Sequence, residues 1–114
     1  MATSKIPQQL DTSVQNPTFE NGVKYNKTNG IVYVNFVGEN NVDIPKNRWT
    51  NIYTLPSKYR PNVDFTTNVA LGSMGTFLGI CTVKNTGAVI VYQNVTETVK
   101  GVWGFISFPA ATWG

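Results

Sequence analysis

Residues 49–61 read Trp49-Thr50-Asn51-Ile52-Tyr53-Thr54-Leu55-Pro56-Ser57-Lys58-Tyr59-Arg60-Pro61, and the fold turns on how they are read. The first half favours a strand, because Trp49, Ile52, Tyr53 and Leu55 suit a pleated, partly buried surface. Pro56 and Pro61 then interrupt it. Each lacks a backbone donor and pushes the residue before it toward extended geometry. Residues 57–60 are therefore expected to form a rigid elbow carrying the chain from one strand to the next.

Working outward, the flanking segments also read as short strands. Residues 31–37, Ile-Val-Tyr-Val-Asn-Phe-Val, place Val32, Val34 and Phe36 on one face and Ile31, Tyr33, Asn35 and Val37 on the other. Before them, residues 19–25 suggest a first strand, ended by turn-prone residues 26–30. A short edge strand is expected over 42–44, ahead of Pro45. Beyond the elbow, Phe65, Thr67, Val69 and Leu71 alternate with Thr66, Asn68 and Ala70, and residues 72–75 read as a turn. Residues 77–83 and 88–92 form a hairpin across Lys84-Asn85-Thr86-Gly87. Residues 94–100 read as a polar loop and 101–109 as the closing strand. No segment has a helical period with caps at both ends.

The fold expected is all-β, an antiparallel β-sandwich or small barrel. The competing arrangement is a mixed fold with a helix in the N-terminal segment, against which Pro7 and Pro17 count. Residues 1–17 are polar and without period, a linker or connecting segment, and residues 18–114 form the domain. Four of the strands, at 31–37, 77–83, 88–92 and 101–109, carry apolar groups on both faces. A sheet with one face in water would alternate polar with apolar. Burial against copies of itself in a symmetric assembly is the reading we favour; a small closed barrel with exposed aromatics is the other.

At 114 residues the chain is one domain. Charged residues are 13% of it, about half the usual share, so Asn, Thr, Ser and Gln must cover the surface. Such a surface fits an extracellular or virion protein. The net charge of +3 comes from basic residues scattered singly, which excludes the basic stripe of a nucleic-acid binder. No apolar run is long enough for membrane insertion and no signal-peptide core precedes the domain, so the chain is expected to stay in the cytosol or leave in assembled virions. The single cysteine, Cys81, excludes an internal disulfide and reads as buried and inert.

Histidine is absent, which removes the usual general base, the common catalytic triads and nearly all zinc sites. The carboxylates Glu39 and Asp43 are near in sequence but fit solvated turn positions better than a glycosidase pair. Glu39, Asn40, Asn41 and Asp43 lack the spacing of a calcium loop. The expectation is no catalysis, no metal and no cofactor. Asn26-Lys27-Thr28 and Asn94-Val95-Thr96 match the glycosylation sequon, which has meaning only in a eukaryotic secretory pathway. Three Trp, five Tyr and six Phe remain, beside a neutral amide surface. Sugars bind through a ring against a C–H face, with amide and carboxylate hydrogen bonds to hydroxyls. Trp103, Tyr92, Tyr33 and Trp49 are the candidate rings, and Asn35, Asn94 and Glu97 the candidate polar contacts. Packing is the competing role for each ring, above all for Trp103 between glycines.

Leu55-Pro56-Ser57-Lys58-Tyr59-Arg60-Pro61 resembles the Leu-Pro-x-x-Tyr-Arg-Pro signature of C-terminal head domains in bacteriophage tail-fibre and receptor-binding proteins, which typically have Gly where Lys58 stands. Residues 23–27 leading into 30–34, the turn at 82–89 and the last strand at 103–109 are also similar. The likeness runs from about Phe19 to the C-terminus. It implies a jelly-roll-like, homotrimeric head on the virion, at the tail tip or baseplate, joined to other tail or baseplate proteins. It also implies recognition of cell-wall or capsular saccharide on a Gram-positive host. Tyr59, Arg60 and Pro61 would serve the fold, with Arg60 pairing with Asp64 or bonding loop carbonyls. A structural virion part that binds no glycan is the alternative; a glycan depolymerase is the third reading.

Overall fold

The computed structural model describes residues 18–38 and 41–112. Among them there are ten strands: β1 Thr18–Glu20, β2 Val23–Thr28, β3 Ile31–Val37, β4 Ile44–Pro45, β5 Thr50–Thr54, β6 Phe65–Leu71, β7 Phe77–Val83, β8 Ala88–Tyr92, β9 Thr98–Val99 and β10 Val102–Pro109. Two short 3-10 turns, Ser57–Tyr59 and Ser73–Gly75, are the only helical turns among the described residues. Eight strands form one antiparallel sheet in the order β1-β2-β3-β10-β6-β7-β8-β5, and β4 pairs with β9 separately. The expected all-β antiparallel fold is what forms, in its barrel-like version: one curled sheet whose edge strands turn toward each other. The linker expected at residues 1–17 lies outside the described residues, as do Glu39 and Asn40.

Alternation along the strands builds the core. Val32, Val34 and Phe36 of β3 face inward, as do Val69 and Leu71 of β6, Cys81 and Val83 of β7, Val89 and Val91 of β8, and Ile106 and Phe108 of β10. Burying a side chain such as Phe108 contributes about 2–3 kcal/mol. The ladder β4–β9 adds Ile44 and Val99 to the same cluster. β9 occupies part of the stretch expected to be a loop. Gln93 explains this local order: its Nε2 donates to the carbonyls of Ile44 and Thr96 (3.2 and 2.7 Å), and its Oε1 accepts from the amides of Val95 and Thr96 (2.8 and 2.9 Å). A buried amide with both ends satisfied holds the loop in one shape.

The expected first strand divides in two, because Asn21 (φ 49°) and Gly22 (φ 76°) take the left-handed conformations of a tight hairpin turn. Asn29 (φ 52°) and Gly30 (φ 81°) repeat it between β2 and β3. The expected edge strand sits slightly later, at Ile44–Pro45. Trp49 falls just outside β5, whose register against β8 shifts between Asn51 and Tyr53.

Side chains close the sheet where the backbone ladder stops. Asn21 Nδ2 donates to the Ile52 carbonyl at 3.0 Å. Tyr53 of β5 donates to Glu20 of β1, so the 2.8 Å contact between the Tyr25 and Tyr53 hydroxyls has Tyr25 as donor. Burial first, and then the bond to Glu20, raise the Tyr53 phenol pKa far above its ordinary value. The last strand, β10, lies between β3 and β6 and joins the two halves of the chain.

The elbow is a junction. The Tyr59 amide donates to Pro56 (2.9 Å), the Ala111 amide to the Arg60 carbonyl (2.8 Å), and Pro61 bridges Ala110. Arg60 Nε donates to the Leu55 carbonyl at 2.9 Å, which is the loop-carbonyl role. Asp64 goes elsewhere, accepting from the Asn85 amide (2.9 Å) and from Lys84 (3.3 Å). Gly87 (φ 94°) lies so close that a Cβ there would stand 2.5 Å from Arg60 Nε and 2.6 Å from the Leu55 carbonyl oxygen. The buried Lys27 donates to the carbonyls of Lys58 (2.8 Å) and Thr112 (3.0 Å), tying β2 to the elbow and to the C-terminal segment. The Tyr59 ring meets Tyr25 edge-on at 4.8 Å.

Candidate functional site

The outer face of the sheet is where ring and amide side chains are left over. Pairing of β2, β3 and β10 sets Lys24 opposite Asn35 and Asn35 opposite Phe105; the adjacent row sets Asn26 opposite Tyr33 and Tyr33 opposite Ser107. These rows enclose a shallow pocket of about 190 Å3 lined by Lys24, Tyr25, Asn26, Tyr33, Asn35 and Phe105. It is smaller than the roughly 300–1,000 Å3 that accommodates drug-sized ligands, and suits a single ring. The rings of Tyr33 and Phe105 stand 6.3 Å apart, tilted by 30°. Phe105 is 55% exposed. On the pocket wall, Asn26 Oδ1 is buried with no hydrogen-bond partner.

A second cluster lies across the sheet. Tyr92 and Trp49 are 5.3 Å apart, and the Tyr92 hydroxyl reaches Asn47 Oδ1 at 3.4 Å. Beside them is a depression of about 120 Å3 lined by Leu78, Gly79, Ile80, Tyr92, Gln93, Asn94 and Val95. Its character is aliphatic, with Leu78 and Val95 well exposed. The Gln93 amide positions the loop that carries Asn94.

The seven candidate residues therefore separate. Tyr33 and Asn35 share the first pocket; Tyr92 and Asn94 share the second, with Trp49 leaning on Tyr92. Glu97 is exposed and lines neither, its carbonyl accepting from the Lys46 amide at 2.8 Å. Trp103 lies on the outer face opposite Val37 and Ala70, but its indole N–H is committed to the Gly72 carbonyl at 2.8 Å. Its ring covers Gly38 (φ 76°), where a Cβ would come within 2.2 Å of it. Trp103 packs two turns together, with its N–H already committed, while 38% of the residue stays exposed.

Sequence reasoning passed over Phe105, Asn26 and Lys24. Phe105 shares a face with Trp103 by simple alternation, and that was legible. Asn26 was legible too: a two-residue turn at Asn29-Gly30 pairs Thr28 with Ile31 and so brings Asn26 to Tyr33. A turn drawn over 26–30 conceals it.

The ionisable groups elsewhere are accounted for by local structure. The Asn85 amide, and then Lys84, hold the Asp64 carboxyl below its ordinary pKa. Asp43 is 3.5 Å from Lys100. Burial pushes the Cys81 thiol up to about 12 and leaves it no thiolate character at neutral pH. Among the described residues no three His, Cys, Asp or Glu side chains gather as metal ligands would.

No family model matches the sequence, and no curated protein matches it. Among solved structures, the fold is similar to the head domain of lactococcal phage bIL170, from work on a common fold for the receptor-binding domains of lactococcal phages. The TM-score is 0.65 at 18% identity, over 77% of this chain and 83% of that chain. The curled antiparallel sheet described above is thus a fold that this chain shares with a phage head domain.

Proposed function

We propose that this chain is a non-enzymatic adhesion module of a phage virion, recognising carbohydrate on the host cell surface. The observation that carries this reading is the fold shared with the bIL170 head domain over most of both chains. The outer face adds chemical support, because it offers rings beside neutral amides, the pairing that C–H faces and hydroxyls require. On this reading the module sits at the tail tip or baseplate beside other tail proteins and works as a homotrimer. Leu78, Ile80 and Trp103 stand exposed on a sheet whose inner face is already full, and contact between copies would cover part of that apolar surface. The test is saturable binding of the fluorescently labelled protein to a panel of bacterial strains, competed by wall polysaccharide. Absence of binding to every strain by a folded protein would overturn it. A monomer at micromolar concentration in sedimentation would overturn the trimer alone.

A second reading, a structural part of the virion that binds no glycan, draws on the exposed aliphatic surface of Leu78, Val95 and Met74. It predicts the same assembly with no cell binding.

A further inference from the structure

Carbohydrate recognition leaves open which of the two ring clusters does the work, and the polar atoms separate them. Around Tyr92 and Trp49 the buried amide is occupied: Gln93 makes four hydrogen bonds to backbone groups, and Asn47 is within reach of the Tyr92 hydroxyl. Asn94 stands exposed in solvent, and the unpartnered Thr50 Oγ1 next to Trp49 does not line the depression. Around Tyr33 and Phe105 an acceptor is left over. Asn26 Oδ1 is buried and unpartnered among protein atoms. An acceptor in that condition costs about 1–3 kcal/mol until a donor reaches it. Hydrophobic substitution would remove that cost, so the amide is held at the expense of stability. Such costs gather at functional sites.

We propose that the pocket between β2, β3 and β10 is a subsite for one saccharide ring, an inference that rests on the carbohydrate-binding reading above. Phe105 and Tyr33 take the C–H face of the sugar between their tilted rings. Asn35, exposed at the centre of the row from Lys24 to Phe105, meets hydroxyls at the rim. Asn26 turns about its last side-chain torsion, which is soft, and brings its oxygen to a hydroxyl donor. The pocket volume of about 190 Å3 limits the bound unit to a single ring, so a longer glycan would run on along the outer face.

Opposite responses of stability and affinity test the assignment. The probe is wall polysaccharide purified from a strain that the intact protein binds. Asn26→Leu is expected to hold or raise the urea midpoint and to weaken polysaccharide binding about tenfold, the equivalent of one lost hydrogen bond. Phe105→Ala is expected to weaken it at least about tenfold through the lost ring. Asn68→Ala, an exposed amide of the same outer face beyond the pocket, should bind as the parent does. Parent-like binding by Asn26→Leu and Phe105→Ala, with the parent still competed by polysaccharide, would overturn the subsite and leave the adhesion reading standing. Failure of the parent itself to bind polysaccharide would overturn both.

Discussion

The elbow and the outer pocket meet on strand β2 and are built on opposite rules. At the elbow, Lys27 is fully buried and donates hydrogen bonds to the Lys58 and Thr112 carbonyls, Arg60 donates to the Leu55 carbonyl, and Gly87 leaves no room for a methyl group. One residue earlier, Asn26 lines the pocket with its oxygen buried and unpartnered, beside a phenylalanine more than half exposed. Polar groups committed internally make a rigid junction. Polar groups left uncommitted beside open rings make a surface that gains from a ligand. Substitutions should therefore split cleanly: elbow changes cost stability, and pocket changes cost binding.

The largest loss is expected for Gly87→Ala. Its positive φ and the close approach to the Leu55 carbonyl together should remove about 3 kcal/mol, read as a lower urea midpoint. Lys27→Met should follow at about 2 kcal/mol, because it orphans the two carbonyls that the ammonium now serves. Equal stability in that variant would mean the elbow is not the junction described. Tyr53→Phe opens the side-chain seam between the edge strands and should cost about 1.5 kcal/mol.

Alkali probes the interior a second way. Both Tyr53 and Cys81 have pKa values raised by burial above 10.0 and 9.0 respectively. A raised acid binds its proton more tightly in the fold, so its stabilising contribution is complete below the unfolded value and is lost as pH rises toward the folded one. Stability should hold to about pH 9 and then decline, with Cys81→Ala flattening the first part of the decline in pH-dependent urea melts. The smallest effect on stability is expected at the pocket: Phe105→Ala should shift it by no more than about 0.5 kcal/mol. A large loss there would make Phe105 part of the scaffold.

Much of this was legible in the residues. The alternation in 31–37 and 65–71 marks inner and outer faces correctly, and the two prolines at 56 and 61 mark the elbow. The Asn21-Gly22 turn went unread because apolar residues on both sides suggested a continuous strand. The position of β10 was not legible at all. Its partners are residues 31–37 and 70–71, and no local pattern encodes a pairing across some seventy residues of chain. The pocket depends on that pairing for Phe105, so the sequence showed Tyr33 and Asn35 without the ring that completes them. The glycines beside Trp103 pointed to packing more than to a ligand, and its indole N–H is indeed committed to the Gly72 carbonyl while its ring covers Gly38.

The most direct measurement is a chemical-shift map of the isotope-labelled protein titrated with a wall-polysaccharide fragment from a bound strain. The account predicts progressive shifts at Asn26, Tyr33, Asn35 and Phe105, with the signals of Lys27, Lys58 and Arg60 unmoved. Shifts confined to the Trp49–Tyr92 cluster, or to the elbow, would contradict it.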